Sequence, residues 1–367
     1  MPEFSPSRLK VARARRRMSK SALAASVDIA PSTMTGYESG DHLPPAATVQ
    51  ALADKLRFPV GFLTGTEVER LTPDYVSFRA LSRLRARDRD AAIAAGSVAV
   101  LIADWIEGRF DLPKLDLPEL RNEDPESAAE AVRAEWRLGE GAISNIVHLL
   151  EARGIRVFSL QEDCADVDAF CFWQDGLPYV LLNMFKSAER SRFDAAHELA
   201  HLVLHRHETL AGRKQVESEA QRFASAFLMP ARTMRGVAPA SVTLDRLLAL
   251  KQLFGVSAAA VAVRLHQLGL LGDWNYRMLF QQMSARGWRS QEPHPMGRER
   301  SLVHAQVVAA LRAEAGSKKM IADDLGLPLA EVESLTFGLG EAPSRGAGWS
   351  DPSPTRPTNP GLRLVDD

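Results

Sequence analysis

Cysteine is nearly absent: the 367 residues hold two, Cys164 and Cys171. Two cysteines build no disulfide framework, and their spacing matches no common zinc pattern, so both read as small strand residues in a reducing compartment. No run of 18 apolar residues occurs, which excludes a membrane-spanning helix. The opening MPEFSPSRLK lacks the apolar centre of a signal peptide, and the expected location is the cytoplasm. Net charge is also missing: at −1, the total does not argue for nucleic acid. The composition, 46% apolar and 25% charged, is that of a soluble globular protein long enough for two or three domains.

Charge distribution says more than the total. Before Asp28 the only acid is Glu3, against Arg8, Lys10, Arg13, Arg15, Arg16, Arg17 and Lys20. This basic start falls on a series of short helical stretches at 8–17, 20–27, 31–39, 48–56 and 59–63. Ser19 suits the N-cap of the second and Gly40 the stop of the third. In MSKSALAASVDIAPSTMTGYESG, the residues Leu23, Ala24, Ile29, Met34 and Tyr37 are spaced to pack two helices across a short turn. Pro31 opens the second helix, whose start would enter the major groove.

That stretch, with PPAATVQALADKLRFPVGFLTG after it, resembles the Cro/repressor-like (XRE) helix-turn-helix family. The resemblance implies a lambda-repressor-like five-helix domain over 1–66 and a double-stranded DNA operator as partner. Carried over by position, Lys20, Ser32, Thr33 and Thr35 would face DNA, with Arg15, Arg16 and Arg17 on phosphates. Pro31 and Gly36 stand where relatives often present a base-reading side chain, which leaves Ser32, Thr33 and DNA shape to supply specificity. Paired half-sites would make the protein a homodimer.

Residues 67–119 read as a helical connector, with a helix near 91–110 and the proline-marked linker DLPKLDLPEL. From 120 the pattern changes. Two helical stretches precede the alternating strand IRVFSL, and VDAFCFW and PYVLLN form a hairpin about a Gln174–Asp175–Gly176 turn. A loop near 208–212 and a helix from about 214 to 229 follow. Residues 243–271 are helical, and 273–340 form a helical C-terminal region. The tail 341–367, rich in Pro, Gly and Ser, is expected to be disordered. MIADDLGLPLAEVESL looks like a weak second helix-turn-helix, but Asp323, Asp324, Glu331 and Glu333 argue against phosphate contact and for a structural or dimerisation role.

The stretch AAHELAHLVLH is apolar except for His197, Glu198, His201 and His205. His197 and His201, four apart on a helix, leave the same face and can bind one zinc ion together. Glu198 between them is the residue that orients and deprotonates the attacking water. Burying these three groups among apolar neighbours is costly unless a metal pairs them. VESEAQRFASAFLMP supplies a third ligand from the next helix: Glu217 first, level with His201, and Glu219 as runner-up. Ala220 and Ala224 share the face of Glu217 and permit close helix approach. His205, rotated by about 40°, reads as a structural histidine or one that supports a ligand, and His207 as solvated. Tyr179 and His205 are guesses for the oxyanion-stabilising group.

RFDAAHELAHLVLH with ESEAQRFASAFLMP resembles the ImmA/IrrE family of zinc metallopeptidases, and flanking stretches extend the resemblance over about 120–272. It implies a thermolysin-like (zincin) α+β fold in a multidomain, mainly α chain. It also implies metal ligands His197, His201 and Glu217, Glu198 as general base, Zn2+ as cofactor, and regulated cleavage of a repressor or similar protein. Ala200 stands where members often have Gly. The expectation is therefore a transcriptional regulator fused to a gluzincin-like metalloendopeptidase that cuts a partner protein, or itself, on a signal such as stress. The alternative is a regulator or antitoxin-like repressor whose peptidase-like domain senses a ligand or binds a partner without cleavage.

Overall fold

The computed structural model describes residues 3–69, 71, 85–160, 167–206, 213–314 and 316–338. Cys164, His207, the loop expected at 208–212 and the tail 341–367 lie outside them. The chain forms two compact units. Residues 3–71, Arg85–Lys114 and 301–338 make the first, and Leu115–Arg300 makes the second.

The first unit begins with α1 (Pro6–Arg15), α2 (Lys20–Ser26), α3 (Pro31–Ser39), α4 (Ala46–Leu56) and α5 (Val60–Leu63). Local chemistry sets their ends. The Ser5 hydroxyl accepts from the Arg8 amide at 3.3 Å, and Ser19 from Ala22 at 3.1 Å. Pro31 opens α3, and Gly40 closes it at φ 84°, a conformation glycine adopts without a Cβ clash. Leu9, Leu23, Met34, Leu52, Leu56 and Phe62 are fully buried and form the core between these helices. The helix expected near 91–110 is α6 (Ala86–Glu107), which packs against α1. Ala91, Ala92, Ile93, Ala94 and Ala95 are all buried, because alanine-rich turns let neighbouring helices close on more than one side.

The second unit holds α7 (Pro125–Glu135), α8 (Ile146–Ala152) and three strands, β1 (Arg156–Leu160), β2 (Ala169–Gln174) and β3 (Leu177–Asn183). The sheet order is β1-β3-β2, with β1 parallel and β2 antiparallel to β3. The expected hairpin turn is present. Asp175 and Gly176 both have positive φ, 50° and 77°, as a tight two-residue connection requires. Next come α9 (Ala188–Leu204) and α10 (Arg213–Leu228). α9 packs on β2, β3 and α10, and Ala196, Ala200, Ala220 and Ala224 are fully buried. Small side chains at these positions allow the close approach that the sequence pattern predicts.

Four further helices complete this unit: α11 (Ala231–Val237), α12 (Leu244–Phe254), α13 (Ala258–Gln267) and α14 (Asp273–Ala285). α12 and α13 are bent by 99° about a break containing Gly255, whose φ is 65°. The segment after α14 is tied to α9. Lys251, fully buried, pairs with Glu189 of α9 and lies 3.3 Å from Glu292. The Met296 amide donates to Glu189 at 3.0 Å, and Arg192 of α9 pairs with Glu299. Glu299 also accepts from the Ile146 amide at 3.1 Å. Among the described residues no single helix is long and apolar enough to cross a membrane.

The C-terminal helices return to the first unit: α15 (Leu302–Ala313), α16 (Lys318–Leu325) and α17 (Leu329–Leu335). The single region expected at 273–340 therefore divides, with α14 in the second unit and α15–α17 in the first. α16 and α17 pack on α6. Asp324 accepts from the Trp105 indole and from Arg109, both at 2.9 Å. Gly326, at φ 64°, fits so closely against α5 that an added Cβ would sit 2.8 Å from the Phe62 amide nitrogen. Glu331 receives both Arg15, at 2.8 Å, and Arg16, at 2.6 Å. Two of the four acids that argue against phosphate contact, Asp324 and Glu331, are thus partners of arginines in the same unit.

Candidate metal centre and nucleic-acid face

α9 is built to carry a polar face inside an apolar setting. Ser187 caps it, its hydroxyl accepting from the Arg190 amide at 3.3 Å. Leu199, Leu202 and Val203 anchor it in the core, while His197, Glu198 and His201 line a cleft of about 1150 Å³. The Nε2 atoms of His197 and His201 are 3.1 Å apart. Glu217 comes from α10, with Oε2 3.3 Å from His197 Nε2 and Oε1 3.8 Å from His201 Nε2. One ligand atom from each of the three falls within 4.8 Å of the others, a convergence of two imidazoles and a carboxylate that fits a zinc ion. Burial lowers the pKa of His197, but its hydrogen bond to Glu217 and the charges of Glu198, Glu217 and Asp194 outweigh it, and the net shift is upward. Such a crowd of carboxylates calls for positive charge between them.

Glu219, the runner-up ligand, does not join this group. Its Oε2 lies 3.0 Å from His205 Nε2, and its Oε1 accepts from Gln215 at 2.8 Å. His205 in turn places Nδ1 3.1 Å from His201 Nδ1. Tyr179 is not an oxyanion candidate in this structure. It is buried in the sheet between the rings of Phe172, 4.9 Å away, and Phe158, 6.4 Å away.

Several cleft residues carry no motif and were invisible to sequence reasoning. Asp194 lies one helical turn before Glu198, and its buried Oδ2 has no hydrogen-bond partner among the described residues. Burial raises its pKa to about 6, against the opposing pull of Lys186 and His197. Lys186 pairs with Asp168 at the start of β2. Val263, Phe280, Met283 and Trp288 add apolar surface to the same cleft. Helical periodicity places Phe280 and Met283 on an apolar stripe, but only the packing of α14 shows that the stripe faces a cleft.

Two family models match parts of the chain. Residues 150–266 match the IrrE N-terminal-like domain of the M78 peptidases. The IrrE N-terminal-like match spans the whole sheet, α9, α10 and most of α13, so it contains every residue of the proposed metal group. A second family, a helix-turn-helix domain, matches residues 7–70. No curated protein matches the chain significantly. The chain thus joins a DNA-binding helix-turn-helix domain to a metallopeptidase-type domain.

The helix-turn-helix residues divide into two groups. Lys20, Ser32 and Thr35 are exposed and Thr33 is half-buried, and Lys20 lies 3.6 Å from Glu38. The three arginines differ. Arg15 is 1% exposed, donating to Glu331 and to the Ala91 carbonyl. Arg16 spans Glu331, the Leu56 carbonyl and the Phe58 ring, and Arg17 lies 2.8 Å from Asp88. The expected phosphate role therefore does not hold for Arg15 as placed, and Arg16 and Arg17 are already held by partners inside their unit. A basic run looks the same in sequence whether its charges face water or an acid from a distant helix.

Proposed function

We propose that this protein is a transcriptional regulator whose zinc peptidase domain hydrolyses a peptide bond in a repressor or other partner protein, or in itself, in response to a signal such as stress. The observation that carries this reading is the convergence of His197, His201 and Glu217 in one cleft, with Glu198 on the same helix. His197, His201 and Glu217 would hold the metal. When bound, zinc supplies a Lewis acid that polarises the scissile carbonyl and acidifies the attacking water.

The chain's own residues do the rest. Glu198, 4% exposed and lining the cleft, takes the proton of the attacking water and delivers it to the leaving amine. Asp168 and Ala169, where β2 begins, line the same cleft. β2 is an edge of the sheet, so an extended substrate segment would add to it by backbone pairing. The first unit binds a double-stranded operator through Lys20, Ser32, Thr33 and Thr35, as a homodimer on paired half-sites.

The deciding experiment compares RNA from wild-type, Glu198→Gln and deletion cells under one stress, with protein levels matched. Glu198→Gln keeps the three ligands and removes the base. The proposal expects it to shift the regulated transcripts as strongly as the deletion, or to lock them in one state. Wild-type behaviour of Glu198→Gln alongside an altered deletion strain would overturn cleavage as the switch. It would favour a domain that senses a ligand or binds a partner.

A further inference from the structure

We infer that Glu219 and His205 are positioning residues that hold His201 in the one tautomer able to bind metal. The inference rests on the metal site proposed above. It starts from hydrogen-bond bookkeeping along a chain of three side chains. Glu219 Oε2 lies 3.0 Å from His205 Nε2, and His205 Nδ1 lies 3.1 Å from His201 Nδ1.

An ionised carboxylate only accepts hydrogen bonds, so His205 Nε2 must carry the hydrogen. With its one hydrogen on Nε2, His205 presents Nδ1 as an acceptor. The facing nitrogen, Nδ1 of His201, must then be the donor. That leaves the lone pair of His201 on Nε2, the atom that faces His197 Nε2 at 3.1 Å and Glu217 Oε1 at 3.8 Å. Each link therefore forces the next, and the last one presents an unprotonated nitrogen at the metal position.

The surroundings favour this arrangement. The His205 side chain is 5% exposed, so water competes poorly for its ring nitrogens. Gln215 fixes the rotamer of Glu219, donating to its Oε1 at 2.8 Å. The motif His-Glu-x-x-His names only the two ligands. The relay needs a third histidine four residues on, at the end of α9, and an acid from α10.

The test uses the full-length protein, stripped of metal and titrated with zinc against a chromophoric chelator. Partners that orient a ligating histidine are worth about 10–100-fold in metal affinity. Glu219→Gln and His205→Phe are expected to weaken zinc binding by that factor. His205→Asn, whose side-chain oxygen can accept from His201 Nδ1–H, is expected to recover most of the loss. Long-range 1H–15N spectra of the metal-free protein give a second readout: His201 protonated on Nδ1 in the wild type, and a mixture of tautomers in Glu219→Gln. Because Glu219 is partly exposed, Glu219→Gln keeps the test valid even if His205→Phe fails to fold. Zinc affinity within twofold of wild type in Glu219→Gln, with an unchanged His201 tautomer, would overturn the relay while leaving the metal site standing. A wild-type protein that binds no zinc would overturn the metal reading itself, and the relay with it.

Discussion

The guanidinium of Arg15 lies 2.8 Å from the carboxylate of Glu331, and both side chains are buried, although 315 residues separate them in sequence. Arg16 reaches the other oxygen of the same carboxylate at 2.6 Å. One acid from α17 thus neutralises two cations at the end of α1, and burial of Arg15 with Glu331 is tolerable only because the two charges are paired. Burial alone would raise the Glu331 pKa, but Arg15 and Arg16 reverse this and the net shift is downward.

Glu331→Gln should therefore destabilise the first unit strongly. Removing one partner of a buried pair costs about 3–5 kcal/mol, because the remaining charge is left unpaired. Hydrogen exchange of α1 and α17 is the direct measurement. Faster exchange in both helices is expected, with the second unit unchanged. Native protection in α1 would mean that the pair contributes little to holding these helices together.

The same pairing alters what DNA binding should look like. With Arg13 on Glu38, Arg15 and Arg16 on Glu331, and Arg17 on Asp88, few cations of the N-terminal run are left for phosphates; Lys20, the most exposed of these five, lies 3.6 Å from Glu38. On a duplex selected from a random pool, Lys20→Gln should reduce the salt dependence of binding by about one counterion. Arg15→Gln should instead lower the melting temperature. A fall in the salt slope with unchanged stability for Arg15→Gln would show that this arginine leaves Glu331 when DNA binds.

His304 of α15 provides a pH signature for the first unit. Burial, with help from Lys318, pushes its pKa down to about 3. An unfolded histidine titrates near 6.5. Between these values the unfolded chain binds a proton that the folded chain refuses, so stability falls as pH drops through this window. His304→Phe, beside the Phe337 ring, should flatten the loss of stability between pH 7 and 5. Parallel pH profiles for the two proteins would count against a neutral buried imidazole.

Asp194 carries the opposite sign. Burial raises its folded pKa to about 6, above its unfolded value, so the folded state holds a proton longer than the unfolded one. Stability attributable to this group is present below about pH 4 and is lost as pH rises through 6. In chelator-treated protein, Asp194→Asn should raise the melting temperature of the second unit at pH 8, by roughly 5 °C, and leave it nearly unchanged at pH 4. An equal shift at both values would assign the effect to packing rather than charge.

Much of the site was legible because its rules are local. The i, i+4 spacing of His197 and His201 needs only a helix, and Ala200, Ala220 and Ala224 mark where two helices can touch. Ser19, Gly40 and the Asp175–Gly176 turn end their elements through the geometry of a few adjacent bonds. These features depend on neighbours in the chain, and so the sequence by itself determined them. What only the tertiary structure decided involves partners far apart. Glu219 turns to His205 rather than to the ligand group, Tyr179 is buried between two rings, and α15–α17 join the N-terminal helices instead of forming a region with α14. Above all, Arg15 and Arg16 read as a DNA-facing run until Glu331 is seen against them. Charge has no periodicity that reveals its partner. Whether a cation serves a ligand or the core is settled by which acid the fold brings within about 3 Å.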